Sequence, residues 1–267
     1  MNEHQLSKSL ADLKLGGLRY FDSIGSTNDE AIAWAMDGAA DLSLVVADEQ
    51  THGRGRLDRK WFTSPGTALA FSLILRPPAA MRPHLSRTVG LAALAVTEST
   101  LRLGLQTQIK WPNDILLNGQ KISGILVETV WSGDQADSVV IGIGINVMKA
   151  AVPPAEDLLF PATSLEDALG YAPDRESLIH DILAALVRWR PLIGSDEFLK
   201  EWDEKLAFRG EQVQVRTRLG QSDEPKGEQN IAGKLVGLES DGSLRLQDEN
   251  DKPVTVQFGD VSLRPAA

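Results

Sequence analysis

The chain has 267 residues, a formal net charge of −10, 42% hydrophobic residues and no cysteine. That composition supplies a core and excludes a disordered chain, disulfides, zinc–thiolate and iron–sulfur sites, and a cysteine nucleophile. An acidic surface binds nucleic acid and anionic membrane poorly, so an anionic substrate must be met by locally concentrated positive charge.

The N-terminal stretch MNEHQLSKSLADLKLGG is polar, without an apolar signal core, and no run approaches the ~18 apolar residues of a membrane span. A cytoplasmic protein that does not enter membranes is expected. Tyr20 to Ile24 reads as a short strand. Thr27 and Glu30 have capping-box spacing ahead of a helix carrying Ala31, Ile32, Trp34, Ala35 and Met36. Leu42 to Ala47 and Leu69 to Leu75 read as strands, with an aperiodic loop, Gln50 to Trp61, between them. Leu85 to Leu103 reads as a helix closed by Gly104. Ile109 to Leu117 is extended with Pro112 interrupting it, Asn118-Gly119 is a hairpin turn, and Lys121 to Val130 and Ser138 to Val147 are strands. A Pro/Ala-rich connector covers 150–165, and helices follow over Asp174 to Trp189 and Ser195 to Leu206. After Gly210, short β segments (Gln212–Val215, Ile231–Leu238, Ser243–Leu246, Val254–Phe258) suggest a small β-barrel of about 55 residues. Its 221–251 stretch holds eight acids and three bases, so it is no nucleic-acid module.

Three segments carry chemistry. Gly53 to Lys60 sets Arg54, Arg56, Arg59 and Lys60 against Asp58, a local net of +3. Its glycines permit close backbone approach, and its arginines offer forked donors to phosphate or carboxylate. It is neither a P-loop nor a dinucleotide fingerprint; its ordinary reading is a solvated basic loop. Lys110-Trp111-Pro112-Asn113-Asp114, with Lys121 across the hairpin, offers Asn113 and Asp114 as hard oxygen ligands suited to Mg²⁺; the plainer reading is a surface turn. Strand alternation in Ile141 to Val147 puts the branched residues on one face and Gly142, Gly144 and Asn146 on the other. Such an emptied face marks close approach by a ligand or by a packed helix.

In this order, Ser26-Thr27-Asn28, Gln50…Gly53-Arg54-Gly55-Arg56…Arg59-Lys60-Trp61, Lys110 to Asp114, Lys121 to Glu128 and Gly142 to Asn146 resemble biotin–protein ligases over about residues 20–150. The resemblance implies an α+β fold: a mixed β-sheet flanked by helices, of the class II aminoacyl-tRNA-synthetase-like biotin/lipoate ligase type, plus a C-terminal SH3-like β-barrel. Residues 1–209 would form the catalytic domain and 210–267 the barrel. It implies a biotin–[acetyl-CoA-carboxylase] ligase that uses ATP and Mg²⁺ to form biotinyl-5'-AMP. The biotinyl group then passes to a lysine of a biotin carboxyl carrier protein.

By motif position, Lys121, Arg56 and Asp114 would be catalytic. Ser26, Thr27, Asn28, Gln50, Arg54, Gly55, Arg56, Lys121 and Gly124 would meet biotin. Arg56, Arg59, Trp61, Asn113, Lys121 and Asn146 would meet ATP, with Trp61 over the adenine, and Asp114 with Asn113 would hold Mg²⁺. The Gly/Arg loop would be mobile when empty and ordered over the adenylate. Leu57 and Asp58 stand where familiar members have arginine and glycine. Few residues precede Tyr20, so a monofunctional enzyme without DNA binding is expected. The same fold serves lipoate-type ligases and acyl transferases, and a non-catalytic biotin sensor would share the binding residues; the GRGRxxRxW and KWPND motifs favour a biotin ligase.

Overall fold

The computed structural model describes residues 1–57, 59–219, 227–257 and 261–265. Its elements in chain order are α1 (Glu3–Ser9), β1 (Gly17–Ile24), α2 (Thr27–Met36), β2 (Ser43–Gln50), β3 (Ala68–Leu75), α3 (Thr88–Arg102), β4 (Thr107–Lys110), β5 (Asp114–Leu117), β6 (Gln120–Ser132) and β7 (Gln135–Asn146). There follow α4 (Leu165–Leu169), α5 (Arg175–Trp189), α6 (Asp196–Glu204), β8 (Gln212–Leu219), β9 (Gly227–Leu238), β10 (Leu244–Gln247), β11 (Pro253–Val256) and β12 (Val261–Pro265).

The first seven strands form one mixed sheet in the order β1-β2-β3-β7-β6-β5-β4. Strands β1 and β2 run parallel, and the other neighbours are antiparallel. Alternation sorts its two faces. Leu69, Phe71 and Leu73 of β3 and Ile141, Ile143 and Ile145 of β7 join the main core with α3, α5 and α6. Each such buried side chain contributes about 2 kcal/mol. The opposite face packs Val45, Ile74 and Val140 against Ala31 and Ala35 of α2. Beyond α2 that face carries Ser72, Gly142, Gly144 and Gly124, and there the functional residues gather.

Five further strands form a second, all-antiparallel sheet in the order β11-β10-β9-β8-β12. The turn between β9 and β10 docks on the first unit: Ser86 Oγ donates to the Asp241 carbonyl at 2.8 Å, and Trp111 Nε1 to the Gly242 carbonyl at 3.1 Å. Trp111 belongs to the Lys110–Asp114 motif, so the second sheet buttresses the site.

Several expectations are corrected. The cap of α2 is Ser26, whose hydroxyl accepts from Asp29 N, and Thr27 is the first helical residue. Thr27 Oγ1 is engaged instead with Gln50. The extended segment Ile109 to Leu117 is two strands in a tight hairpin, because Pro112 has no N–H to continue a ladder. The helix from Leu85 begins as a 3₁₀ turn (Arg82–Arg87) and becomes α-helical at Thr88. Helix α1 was not expected; within it only Leu6 is buried, and periodicity had little to register. Phe258 and Asp58 lie outside the described residues.

Candidate active site

A cleft of about 760 Å³, partly open to solvent, lies on the α2 face of the sheet. Its wall includes Ser26, Thr27, Asn28, Gln50, Arg54, Gly55, Arg56, Arg59, Trp61, Asn113, Asp114, Lys121 and Gly124. Asn146 is not on that wall. It is buried at the end of β7, where Nδ2 donates to the Thr163 carbonyl at 3.1 Å. That bond fastens the 150–165 connector. The connector in turn is bonded to Lys121, whose N donates to the Pro161 carbonyl and whose O accepts from Thr163 N.

One end of the cleft is charged. The hairpin at Pro112 pairs Lys110 with Asp114, and the Asn118-Gly119 turn, both residues at positive φ, returns the chain so that Lys121 approaches from β6. Asp114 Oδ1 lies 2.5 Å from Lys121 Nζ, and Oδ2 lies 3.2 Å from Lys110 Nζ. Burial pushes the Asp114 carboxyl up, but the charges of Lys121 and Lys110 outweigh it and hold it at about 2. Burial also lowers Lys110, against the pull of Asp114, to about 8. Lys110 sits 4.3 Å over the Phe160 ring, away from the cleft wall. Arg56 Nη1 donates to Asn113 Oδ1 at 3.2 Å, and Asn113 Nδ2 to the Ile125 carbonyl at 2.9 Å.

These contacts engage both residues expected to meet Mg²⁺ on the ATP phosphates. Both oxygens of Asp114 face ammonium groups, and the Asn113 oxygen accepts from a guanidinium. No group of three His, Cys, Asp or Glu among the described residues has metal-holding geometry. The described residues by themselves form no closed divalent-ion site, and no step is routed through one.

The other end is neutral. Gln50 Oε1 accepts from Thr27 N at 2.8 Å and from Thr27 Oγ1 at 3.0 Å. The Ser72 hydroxyl donates to Asn28 Oδ1 at 2.6 Å and lies 2.8 Å from Thr27 Oγ1. Asn28 Nδ2 donates to Glu128 Oε2 at 2.8 Å. Asn28 therefore lines the cleft with both ends of its amide bonded to protein. Its position depends on Gly142: a Cβ there would stand 2.0 Å from Asn28 Oδ1. On the emptied β7 face, Asn28 of α2 covers Gly142 and the Trp61 indole covers Gly144.

Between the ends lies the Gly/Arg segment, folded as a flap. Gly55 N donates to the Arg59 carbonyl at 2.7 Å and Trp61 N to the Gly53 carbonyl at 2.8 Å. Trp61 rests on the sheet, where a Cβ on Gly144 would stand 2.2 Å from its indole. Its ring also lies 5.5 Å from Lys121 Nζ. Trp61 Nε1 is buried with no hydrogen-bond partner among the described residues, a donor facing the cleft floor.

Sequence reasoning missed Ser72, Glu128 and the role of Lys110. Ser72 is the one hydroxyl in the apolar run Ala68–Leu75, and a buried hydroxyl needs partners. Glu128 falls on the Gly124 face by strand alternation.

The sequence profile of the Biotin/lipoate A/B protein ligase family matches residues 20–146, and that of the Biotin protein ligase C terminal domain matches residues 225–264. The bifunctional ligase/repressor BirA of Bacillus subtilis is 38% identical over 250 residues, covering 92% of this chain and 74% of that protein. The biotin–[acetyl-CoA-carboxylase] ligase of Paracoccus denitrificans is 33% identical, covering 83% and 90%. Among solved structures, the biotin protein ligase of Aquifex aeolicus in complex with biotin and ATP is 30% identical with a TM-score of 0.78, covering 94% and 99%.

Proposed function

The chain belongs to the biotin/lipoate A/B protein ligase family, and we propose that its cleft carries out ATP-dependent activation and transfer of biotin. The biotin carboxylate attacks the α-phosphate of ATP, giving biotinyl-5'-AMP and pyrophosphate. A lysine amine of a biotin carboxyl carrier protein domain of acetyl-CoA carboxylase then attacks the acyl carbon. An amide forms, AMP leaves, and the amine gives up a proton.

The observation that carries this reading is the pairing, in one cleft, of a neutral hydrogen-bonding end with a cationic end. Biotin has the matching shape, a polar ureido ring and an anionic carboxylate joined by an apolar chain. Two unit anions ~4 Å apart repel by about 4 kcal/mol at an effective dielectric near 20, so the attack needs cations placed beforehand. Lys121 and Arg56 supply them, and Asp114, 2.5 Å from the Lys121 ammonium, aims it. Lys121 acts as a clamp on charge, with no covalent step of its own. Ser26, Thr27, Gln50 and the Arg54 backbone meet the ureido ring, and Gly55 and Gly124 let it lie close to the chain. Arg59, Trp61 and Asn113 face the nucleotide, and magnesium enters with ATP as part of that substrate.

In this reading residues 1–209 form the ligase unit and 210–267 the C-terminal unit, and the protein works in the cytoplasm beside its carrier. No helix among the described residues is long and apolar enough to cross a membrane.

The test is biotin-dependent exchange of labelled pyrophosphate into ATP, run beside lipoate, followed by labelling of a purified carrier domain. Exchange with biotin and label on one carrier lysine are expected. Exchange with lipoate instead would move the chain to the lipoate side of its family, and tight biotin binding without exchange would make it a sensor.

A further inference from the structure

Glu128 lies outside the cleft wall, yet it joins two parts of the site. Its carboxylate takes the Arg54 guanidinium in a two-pronged contact, Nη1 to Oε1 at 3.0 Å and Nη2 to Oε2 at 2.7 Å. Arg54 Nη2 is also 2.7 Å from Asp29 Oδ1 on α2. The Gly55–Arg59 and Gly53–Trp61 bonds fold the flap on itself; the Arg54–Glu128 pair ties it across to β6. Glu128 Oε2 also accepts from Asn28, whose oxygen takes the Ser72 hydroxyl beside Thr27. A run of hydrogen bonds therefore connects Gln50, at the ring end, to the arginine that fastens the flap.

We propose that Glu128 is a positioning residue that latches the flap over bound biotinyl-AMP and couples that closure to the ring-end hydrogen bonds. The proposal rests on the ligase reading above. A two-pronged arginine–carboxylate contact fixes orientation as well as distance, which a single lysine contact does not. The contact is partly exposed, with 27% of the Glu128 side chain and 37% of that of Arg54 accessible, so water screens it and it can open each turnover. Because Glu128 does not line the cleft, its loss leaves the reacting groups in place and acts on how long the intermediate stays.

The experiment compares the full-length protein with Glu128→Gln, Glu128→Ala, Arg54→Ala and the double alanine variant. Release of biotinyl-AMP made in situ from biotin and ATP is followed by rapid filtration. Release about tenfold faster is expected for Glu128→Ala, with the biotin KM raised in step and the adenylation kcat within about twofold. Glu128→Gln, which keeps an acceptor for Asn28 and loses the charge, should fall between it and the parent. The double variant should release no faster than Arg54→Ala, which already removes the Glu128 contact together with the Asp29 one. Unchanged release in Glu128→Ala, or effects that multiply in the double variant, would overturn the latch. If Glu128→Ala does not fold, Glu128→Gln decides alone. Trypsin cleavage of the ligand-free flap gives a readout independent of activity: faster cutting is expected in Glu128→Gln, and equal cutting counts against the latch. Should the parent form no adenylate from biotin, the ligase reading fails by itself, and the trypsin comparison still judges Glu128.

Discussion

At one end of the cleft a carboxylate, Asp114, sits between two ammonium groups. At the other, Thr27, Gln50, Ser72 and Asn28 exchange hydrogen bonds with no formal charge among them. The ends share a sheet and a flap but depend on different physics. Removing one partner of a buried ion pair strands a charge and costs about 3–5 kcal/mol, whereas an unmet buried hydroxyl or amide costs about 1–3 kcal/mol. The charged end therefore tolerates change least, and its failure should appear in the chemical step. The neutral end should fail in affinity.

The largest expected effect comes from Asp114→Asn. Lys110, with 4% of its side chain accessible, and Lys121 would then face each other with no anion between them. We expect a loss of about 3–5 kcal/mol in stability and adenylation slowed on the order of 100-fold, chiefly in kcat. The pH profile of thermal unfolding identifies the cause. Asp114 titrates at about 2 in the fold against 3.8 as a free group, so its stabilisation is complete above 3.8 and is lost as pH falls from there through 2. The Asn variant should lack that acid-side slope. Lys110 titrates at about 8 against 10.5, so its burial opposes folding below 8 and the penalty fades as pH rises from 8 to 10.5. Without Asp114 that rise should begin at lower pH. An acid slope unchanged by the substitution would break the assignment of the charged end to Asp114.

Ser72→Ala tests the neutral end with a smaller effect. It removes the donor to Asn28 Oδ1 and the neighbour of Thr27 Oγ1, at about 1–2 kcal/mol. The biotin KM should rise about tenfold with the loss in kcat much smaller, measured by pyrophosphate exchange over a biotin titration. An equal loss in kcat would mean that the two ends are not separable.

The same contrast explains what was legible in the sequence. Ser26, Thr27, Gln50 and the Gly/Arg segment stand in a fixed order, and the structure does bring them to one wall. Asp114 was visible as a functional carboxylate, but residue type alone allows either a metal or a lysine partner. Register sets Lys110 and Lys121 beside it, and that register depends on the Pro112 hairpin, which reads in sequence as one interrupted strand. Lys110 was visible only as part of a motif, because its burial against Phe160 involves a residue 50 positions away in the connector. Gly142 and Gly144 announced an emptied face; which side chains fill it, Asn28 and Trp61, follows from long-range packing. Helix α2 was legible in type, but its start was misplaced by one residue because Thr27 was committed to Gln50.

The smallest expected effect belongs to the tip of the flap that spans both ends. Leu57 has φ +59, in the left-handed region, where an L side chain costs about 1–2 kcal/mol. Arg59 N donates to the Arg56 carbonyl at 3.3 Å across this tip, so the turn closes although the residue is poorly suited to it. Leu57→Gly relieves the strain but gives the unfolded chain about 0.5–1 kcal/mol of added conformational freedom. The net gain should be about 0.5 kcal/mol, a rise of roughly 1–2 °C in Tm for a chain of this size. Neither the Arg54 pair nor the Arg56–Asn113 bond involves the Leu57 side chain. Adenylate release and kcat should therefore stay within about twofold of the parent, while trypsin cuts the flap more slowly. A destabilised Leu57→Gly variant would show instead that the Leu57 side chain, which lines the cleft, contributes more packing than its backbone strain removes. The flap tip would then belong with the apolar contacts of the site, beside Trp61, rather than with its turns.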